Sequence, residues 1–311
     1  MSDVAGSAEE IPVHGRICGT MPVHRRLLST VPAYAVARDR IENLAFAVER
    51  GLRAMAPRQV VNIPVVIHVV TNGGTVDVSD EQIHSQIDAL NRDYRRTNDD
   101  VSQVPEVWRD RAADAMIEFH LAEQDPGGRA TSGIVRVQTD VDTFSSDDGV
   151  KSSERGGSDP WPTERYLNFW VCALSEGLLG YAQFPGGPTE TDGVVITHTG
   201  FGTMGTAQSP FDLGRTSTHE VGHWLNLFHI WGDDGSGCSG DDFVSDTPNQ
   251  GGPNSGQPNF PKLSCSNDPD GDMFMNYMDY VDDAAMVMFT AGQVARMDAS
   301  LEGARRSFMA R

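Results

Sequence analysis

The sequence predicts an α+β fold with a long irregular region in its later part. Three observations lead to this prediction. Short segments rich in Val and Ile alternate with helical patterns as far as residue 229, and residues 231 to 272 then have almost no regular pattern. With 39% hydrophobic and 22% charged residues, a chain of 311 residues can also build a sizeable core. We therefore expect a globular protein with one large or two modest domains.

Apolar periodicity locates the individual elements. Strands are predicted at Val60–Val70, Ile117–Leu121, Ile134–Val137, Tyr166–Leu174 and Gly193–Thr197. Helices are predicted at about Arg38–Leu52, Asp80–Arg96 and Leu213–Leu225, with a last helix after Thr290. Asp80 and Thr290 are the expected N-caps, and Pro64 favours a sheet edge or a bulge in the first strand.

The net charge of −20 argues against nucleic acid, whose phosphates would be repelled, and suits cationic substrates or calcium. Membrane insertion is not expected, because no run approaches the ~20 apolar residues that a spanning helix needs. We expect a monomer.

The strongest chemical signal is the stretch H-E-V-G-H-W-L-N-L-F-H, which begins at His219. On a helix, His219 and His223 project from one face, where both imidazoles can bind one metal ion. His229 lies too far along a straight helix, so the chain should leave the helix at Asn226, a residue that tolerates the left-handed conformation. Glu220 can reach a metal-bound water rather than the metal. Three imidazoles and one open position predict a catalytic zinc site.

A bare H-E-x-x-H can also occur by chance on an amphipathic helix, where its histidines are only surface or core residues. Here the third histidine and a downstream turn, N-Y-M-D-Y with Met278 at its centre, favour zinc. In a zinc protease, a strand edge near the metal holds the extended substrate by main-chain bonds. We assign this role to Gly180, Tyr181 and Ala182; a structural turn is the alternative.

Four cysteines, at positions 18, 172, 238 and 265, permit three complete pairings. Cys238 and Cys265 bracket the middle of the irregular region, and a disulfide between them would remove loop entropy worth ~3 kcal/mol from the unfolded chain. We favour this disulfide over two free thiols. Cys172, inside a predicted strand, is expected to be a small buried apolar residue.

The same irregular region is rich in aspartates that repel one another unless a cation lies among them. They are Asp233, Asp234, Asp241, Asp242, Asp246 and Asp268. Calcium takes 6 to 8 oxygen ligands and would suit such a loop, with Asp242, Asp246 and Thr247 as the expected ligands. A solvated acidic loop without calcium is the alternative.

At this point the sequence resembles a known family. The three histidines, Glu220 and Met278 resemble the metzincin clan. The segments L-G-Y-A-Q-F-P-G, T-D-G-V-V-I, S-D-T-P and N-Y-M-D-Y are similar to the pappalysin family, in its ulilysin and cytophagalysin-like branch, peptidase family M43. The resemblance covers roughly residues 60 to 310. It departs at Asn226, where the clan pattern usually has Gly.

The resemblance implies a metzincin-type domain of residues 59–311 in two lobes. The upper lobe, 59–229, would carry a twisted mixed sheet with helices, and the lower lobe, 230–311, would be irregular. Met278 would form a hydrophobic floor under the zinc, and Tyr280 would approach the metal or the tetrahedral intermediate. The resemblance also suggests cleavage before Arg or Lys, for which Asp282 and Asp283 would line the pocket. Two exposed loop carboxylates are the alternative.

The expected activity is that of a metalloendopeptidase acting on polypeptides. Glu220 would take a proton from the zinc-bound water, which attacks the scissile carbonyl, and pass it to the leaving amine. Zinc, with Tyr280, would stabilise the oxyanion. The alternatives are a zinc hydrolase of non-peptide amides and a non-catalytic binding module that retains the fold.

Residues 1–58 differ from the rest and are interpreted as a latency segment. Cys18, in R-I-C-G-T, would be the fourth zinc ligand until the segment is cleaved off, which matches a zinc-binding cysteine in this family. A free thiol or a disulfide with Cys172 are the alternatives. The basic junction at Pro57 and Arg58 would suit self-cleavage. We expect secretion, although Met1 to Ile11 lack a basic start followed by an apolar core.

Overall fold

The computed structural model describes residues 15–53, 59–74, 76–235 and 237–309. Five α-helices are formed: α1 (Thr20–Thr30), α2 (Pro32–Glu49), α3 (Asp80–Tyr94), α4 (Arg215–Trp224) and α5 (Ala291–Glu302). Six strands are formed: β1 (Val61–Thr71), β2 (Ile117–Leu121), β3 (Ile134–Gln138), β4 (Leu167–Cys172), β5 (Gly180–Ala182) and β6 (Val194–Thr197). The predicted α+β class is confirmed.

The six strands form one mixed sheet, in which β5 alone is antiparallel to its neighbour. The order is β2-β1-β4-β6-β5, and β3 pairs with the same edge of β1 beyond the end of β2. β5 therefore ends the sheet on one side. This edge strand, Gly180–Ala182, is the segment that we predicted from the sequence to bind substrate.

Pro64 lies in a strand with neighbours on both sides, which differs from the simple edge strand that its presence favoured. It pairs with His120 of β2, whereas the ladder to β4 begins only at Val65. The proline thus falls where β1 has one neighbour. Its missing N–H removes no bond from the β4 ladder.

Of the two predicted N-caps, Thr290 is confirmed and Asp80 is not. Thr290 begins α5 with a capping box, in which its hydroxyl accepts from Gln293 N and the Gln293 side chain accepts from Thr290 N. Asp80 is instead the first helical residue of α3. Ser79 is the N-cap, and its hydroxyl accepts from Gln82 N.

The N-terminal segment forms two helices where the sequence predicted one. α1 was missed, and α2 begins at Pro32 rather than near Arg38. Val23 and Leu27 of α1 enter a buried apolar cluster with Trp170 and Phe184 of the sheet region. On α2, Ala45 and Val48 are buried and pack against Ala299 of α5. The N-terminal segment thus packs on the sheet through α1 and on α5 through α2.

The region after α4 is irregular, as predicted. Among its described residues, no α-helix or strand occurs until α5. A disulfide joins Cys238 and Cys265, whose Cα atoms are 5.4 Å apart, so the favoured pairing is confirmed. Cys18 and Cys172 are both free and buried, which removes the alternative of a disulfide between them. In the part of the chain that the structure describes, no helix is both long and apolar enough to cross a bilayer.

Candidate active site

Helix α4 carries His219, Glu220 and His223 of the predicted zinc motif. All ten residues of the helix are buried. It ends as the sequence suggested: Asn226 has a φ of 85°, and Leu227 N donates to Gly222 O at 2.9 Å. This left-handed residue turns the chain back toward the helix. His229 is thereby brought to the two helical histidines.

The three imidazoles converge on one point. The Nε2 atom of His223 lies 3.1 Å from Nε2 of His219 and 3.1 Å from Nε2 of His229. Nitrogen ligands at about 2.0–2.1 Å from a tetrahedral zinc would be separated by about 3.3 Å. Burial, with the neighbouring imidazoles, lowers the pKa of His219 and His223 well below its ordinary value, which favours the neutral form that binds metal.

The outer nitrogen of each ring has its own acceptor at 2.7 Å. His219 Nδ1 donates to Tyr277 O, His223 Nδ1 to Leu227 O, and His229 Nδ1 to an oxygen of Asp233. With the ring proton on Nδ1, all three Nε2 atoms present lone pairs and cannot donate to one another. A bound cation satisfies this arrangement. The residues therefore fit a zinc ion.

Met278 lies directly beneath the helix that carries two of the ligands, and it is fully buried. A Cβ atom added at Gly222 would come within 2.5 Å of the Met278 sulfur. The glycine in H-E-V-G-H is therefore required by close packing of the helix on this side chain. Met278 forms part of the site's wall without offering a ligand.

Cys18 reaches the same point from the N-terminal segment. Its sulfur and the three histidine nitrogens are the one group of potential metal-binding side chains found among the described residues, with all four atoms within 4.8 Å of one another. The thiol also donates to Glu220 Oε2 at 3.5 Å. Burial and the adjacent carboxylate raise the pKa of Cys18 well above its ordinary value, so a cation would be needed to hold it as a thiolate.

Glu220 is enclosed by the N-terminal segment. Thr20 Oγ1 donates to Glu220 Oε2 at 2.9 Å. Burial raises the pKa of Glu220 from 4.5 to about 7, while the bonds from Cys18 and Thr20 act in the opposite direction. On its other side the carboxylate meets Gly180, where an added Cβ would lie 3.0 Å from Glu220 Cγ. The carboxyl is thus fixed between β5 and residues 18–20.

Tyr280 is part of the same cluster. Its hydroxyl accepts from Cys18 N at 3.3 Å, and its ring packs edge-on to His229 and Trp231. Trp231 in turn stacks on His229 with a centroid distance of 4.4 Å. The phenol therefore faces the point where the histidines converge.

The edge of β5 is covered by residues 17–20, which pair with it in the parallel direction. Leu179 N donates to Ile17 O at 3.0 Å, Gly19 N donates to Gly180 O at 2.8 Å, and Ala182 N donates to Thr20 Oγ1 at 2.8 Å. The main chain of Gly180–Ala182 is the part that faces the cleft. The Tyr181 side chain is buried on the opposite side, in the cluster beneath α1.

Arg16 enters a closed pocket beside the convergence point. Its guanidinium donates to Asp283 Oδ1 at 2.6 Å and to Thr216 Oγ1 at 2.8 Å, and it stacks on Phe211 with 5.0 Å to the ring centroid. Asp283 is fully buried, which differs from the alternative of an exposed loop carboxylate. Asp282 is half-buried, and its main-chain N–H donates to Gly256 O.

The acidic residues assigned to calcium are divided between two places. Asp242 is buried, its carboxylate accepts from Thr247 Oγ1 at 2.9 Å, and burial raises its pKa to about 8. Asp246 accepts from Thr290 Oγ1 and Gly292 N at the start of α5. Asp233, grouped with the calcium loop in the sequence, binds His229 instead.

Several residues at the site were not predicted. Arg16 and Thr20 lie within R-I-C-G-T, of which the sequence interpretation used the cysteine alone. On α2, Glu42 accepts from Arg296 Nη2 at 2.5 Å and from Asn226 Nδ2 at 3.3 Å, at the end of the zinc helix. No local pattern marked this carboxylate. The junction at Pro57 and Arg58 lies outside the described residues.

Comparison with known proteins gives a consistent set of relatives. The sequence profile of the peptidase M43 family, described as pregnancy-associated plasma protein-A, matches residues 151–302. An extracellular metalloprotease of Arthroderma benhamiae is 37% identical over 247 residues, which cover 76% of this chain and 71% of that protein. One from Pyricularia oryzae is 34% identical over 254 residues, covering 78% and 76%.

Two solved structures are also similar. Mature mirolysin of Tannerella forsythia, in complex with a cleaved peptide, is 53% identical with a TM-score of 0.80, covering 81% of this chain and 96% of that one. A promirolysin mutant of the same organism is 48% identical with a TM-score of 0.87, covering 94% and 97%. The precursor form thus matches a larger share of the chain than the mature form does.

Proposed function

Because the chain belongs to the peptidase M43 family of metalloproteases, we propose that it is a zinc-dependent endopeptidase made as a latent zymogen. Residues 1–58 form the latency segment, and residues 59–311 form the catalytic domain with its two lobes. Cys18 is the switch, and the enzyme cleaves before Arg or Lys. One observation carries the proposal: residues 16–20 fill the cleft, with Cys18 facing the three histidines and Arg16 in the neighbouring pocket.

Catalysis requires that Cys18 leave the site. His219, His223 and His229 would hold a zinc ion, which would lower the pKa of a bound water toward ~7 and polarise the scissile carbonyl. Glu220 accepts the proton of the attacking water and delivers it to the leaving amine. Its carboxylate oxygen lies 3.5 Å from the Cys18 sulfur, which marks the place that the attacking water would take. Tyr280 donates a hydrogen bond from its phenol to the developing oxyanion.

The direction of the latency segment supports its inhibitory role. Residues 17–20 run parallel to β5. A substrate paired antiparallel with β5 would run the opposite way and would bond to the same main-chain groups of Gly180 and Ala182. The segment therefore occupies the substrate's place without presenting a peptide bond in the productive direction. Tyr181 contributes through its main chain.

The preference for basic residues rests on Arg16. The segment runs in the direction opposite to that of a substrate. Arg16, which precedes Cys18, therefore lies where a substrate has the residue that follows its scissile bond. The pocket offers a buried carboxylate, a threonine hydroxyl and the carbonyl of Val281, which is the chemistry that a guanidinium or an ammonium needs. Of the two predicted carboxylates, we assign the specificity to Asp283, with Asp282 at most on its rim.

We propose in addition a structural calcium ion, with Asp242, Asp246 and Thr247 as its ligands. Asp242 is buried, and burial raises the pKa of its carboxyl to about 8. Calcium would allow this carboxylate to ionise without loss of stability. The ordered, disulfide-bonded loop around it agrees with such a role.

The enzyme is proposed to act outside the cell as a monomer on polypeptides, with neither nucleic acid nor membrane as partner. Its relatives are named extracellular metalloproteases, and a charge of −20 favours basic polypeptides over nucleic acid. Of the alternatives, hydrolysis of small amides is disfavoured because the cleft holds a polypeptide segment, residues 16–20. A binding module without activity would have no need of Glu220.

Activity assays on the full chain test the proposal. The parent, Cys18→Ala and Glu220→Ala are incubated with a peptide library, with and without a chelator. We expect Cys18→Ala to cleave at once, the parent to cleave only after losing its N-terminal segment, and Glu220→Ala to bind zinc without cleaving. Cys172→Ala is the matched control and should behave as the parent. Chelator-resistant cleavage, or cleavage by Glu220→Ala, would refute the proposal.

A further inference from the structure

The latency segment makes a second ion pair with the rest of the chain, through a residue that follows Cys18, whereas Arg16 precedes it. Arg26 of α1 donates to Asp148 Oδ2 at 2.5 Å and to Ser146 O at 3.2 Å. The Asp148 side chain is 5% exposed, whereas that of Arg26 is 40% exposed. The carboxylate is thus covered by the segment and would become accessible when the segment leaves.

The wall that carries Asp148 borders the substrate path. A Cβ added at Gly19, the residue after Cys18, would lie 3.1 Å from Ser146 Cβ. Ser146 therefore touches the latency segment immediately beside the metal-facing thiol, and Asp148 follows two residues later. From Asp140 to Asp148 this wall contains four aspartates and no basic residue. Two of these aspartates, Asp147 and Asp148, pair with Arg155 and Lys151, and Asp148 uses its second oxygen for the cation of the segment, Arg26.

Asp148 is held in place by groups that remain after the segment is removed. Lys151, whose side chain is fully buried, lies 2.8 Å from Asp148 Oδ1 and also donates to Thr191 O at 2.6 Å. Lys151 therefore fixes one carboxylate oxygen, and Arg26 uses the other. When Arg26 departs, Oδ2 and the Ser146 carbonyl lose the guanidinium that they bind and become available to another cationic side chain.

We propose that Asp148 and the Ser146 carbonyl form a second specificity subsite, which binds a basic side chain on the part of the substrate that precedes the scissile bond. The inference rests on the proposed function, in which Arg16 marks the opposite side. Helix α1 begins at Thr20, so Arg26 lies about 9 Å along its axis, and its side chain points back toward the helix start. An extended substrate covers this distance in about two to four residues.

The preferred substrate would therefore carry two basic residues, one after the scissile bond and one two to four residues before it. The latency segment presents its own pair, Arg16 and Arg26, to the same two carboxylates. Inhibition and substrate selection would then use one set of contacts. Arg25, which is exposed on α1, takes no part.

Cleavage of a matched peptide series tests the subsite. The full chain is allowed to release its segment and is assayed on peptides with Arg after the scissile bond and either Arg or Ala at the second, third or fourth position before it. We expect kcat/KM to be about five- to tenfold higher with Arg at one of these positions. In Asp148→Asn the ratio should fall below about twofold. Asp148→Glu should retain a preference.

The control is Asp147→Asn, because Asp147 pairs with Arg155 and makes no ion pair with the described part of the latency segment, residues 15–53. The ratio within each variant does not depend on how much of it is folded, so partial misfolding of Asp148→Asn does not obscure the result. Equal ratios for the parent and Asp148→Asn, or a parent without preference, would overturn the subsite alone. A parent that cleaves no peptide of the series would overturn the proposed function with it.

Discussion

Arg16 and Asp283, which are 267 positions apart in the sequence, form an ion pair of 2.6 Å whose side chains are 1% and 0% exposed. The pair joins the N-terminal segment to the wall of the cleft. Asp283 Oδ2 also accepts from Leu213 N and Arg215 N at the start of the zinc helix. The same carboxylate thus orients the helix that carries the histidines and lines the pocket beside it.

The specificity of this pocket can be tested by Asp283→Asn. The amide oxygen can still accept from Leu213 N and Arg215 N, but the charge that binds a basic side chain is lost. We expect kcat/KM for peptides with Arg after the scissile bond to fall about 30-fold, the equivalent of ~2 kcal/mol. Peptides with Leu there should be affected much less. Asp282→Asn is the control, and a similar loss in that variant would contradict the assignment.

Close packing of Met278 predicts the effect of Gly222→Ala. The new Cβ would lie 2.5 Å from the Met278 sulfur, so the helix or the methionine must move. We expect a loss of stability of ~1–3 kcal/mol, seen as a lower midpoint of thermal unfolding, together with weaker zinc binding. Gly74→Ala is the matched control, since a Cβ there meets no atom within 4 Å. Equal stability of the two variants would show that the packing is looser than described.

The group that accepts a hydrogen bond from the Nδ1 atom of each histidine should influence the affinity of the site for zinc. Asp233→Asn weakens the bond to His229 Nδ1, which is 2.7 Å in the parent. We expect zinc affinity to fall by about 10- to 100-fold, measured by competition with a chromogenic chelator. Asp241→Asn changes a carboxylate in the same loop that accepts from Phe243 N and should leave the affinity unchanged. An unaltered affinity in Asp233→Asn would remove Asp233 from the site.

Acid should loosen the latency segment through His24. Burial first, then the nearby Arg38 guanidinium, lower the pKa of His24 to about 4, and its Nδ1 is 2.8 Å from Tyr34 Oη. Because burial in the docked form opposes protonation of His24, whose ordinary pKa is 6.5, docking is favoured above pH 6.5 and progressively lost as pH falls toward 4.

Hydrogen exchange measures this effect without proteolysis. In the inactive Glu220→Ala chain, amides of α1 should lose protection relative to those of α3 when pH falls from 7.5 to 5, after correction for intrinsic exchange rates. In His24→Asn this difference should largely disappear. Equal protection of α1 at both pH values in the His24-containing chain would mean that the histidine does not control docking.

The sequence predicted most of the sheet and the grouping of the three histidines because their signals are local. Val- and Ile-rich runs mark β1 and β4, and the spacing of the histidines on one helix face requires no tertiary information. The left-handed conformation of Asn226 could also be predicted, since Asn is one of the few residues other than glycine that tolerate it. The disulfide followed from two cysteines within one irregular stretch.

The remaining features depend on long-range contacts. Helix α1 was missed because only two of its apolar residues, Val23 and Leu27, are buried. Its stability comes from their packing on the sheet. Arg16 meets Asp283 only in the folded chain, so the basic segment had no visible partner. Asp233 was grouped with the acidic loop because charge alone does not distinguish a histidine partner from a calcium ligand.

X-ray absorption at the zinc edge of the full Glu220→Ala chain tests the central claim most directly, because this variant cannot remove its own segment. Cys18, placed within 4.8 Å of the three histidine nitrogens, should give three nitrogen ligands and one sulfur at about 2.3 Å from zinc. The sulfur should be absent in Cys18→Ala and retained in Cys172→Ala. A zinc ion of the full chain with nitrogen and oxygen ligands alone would contradict latency by this thiol.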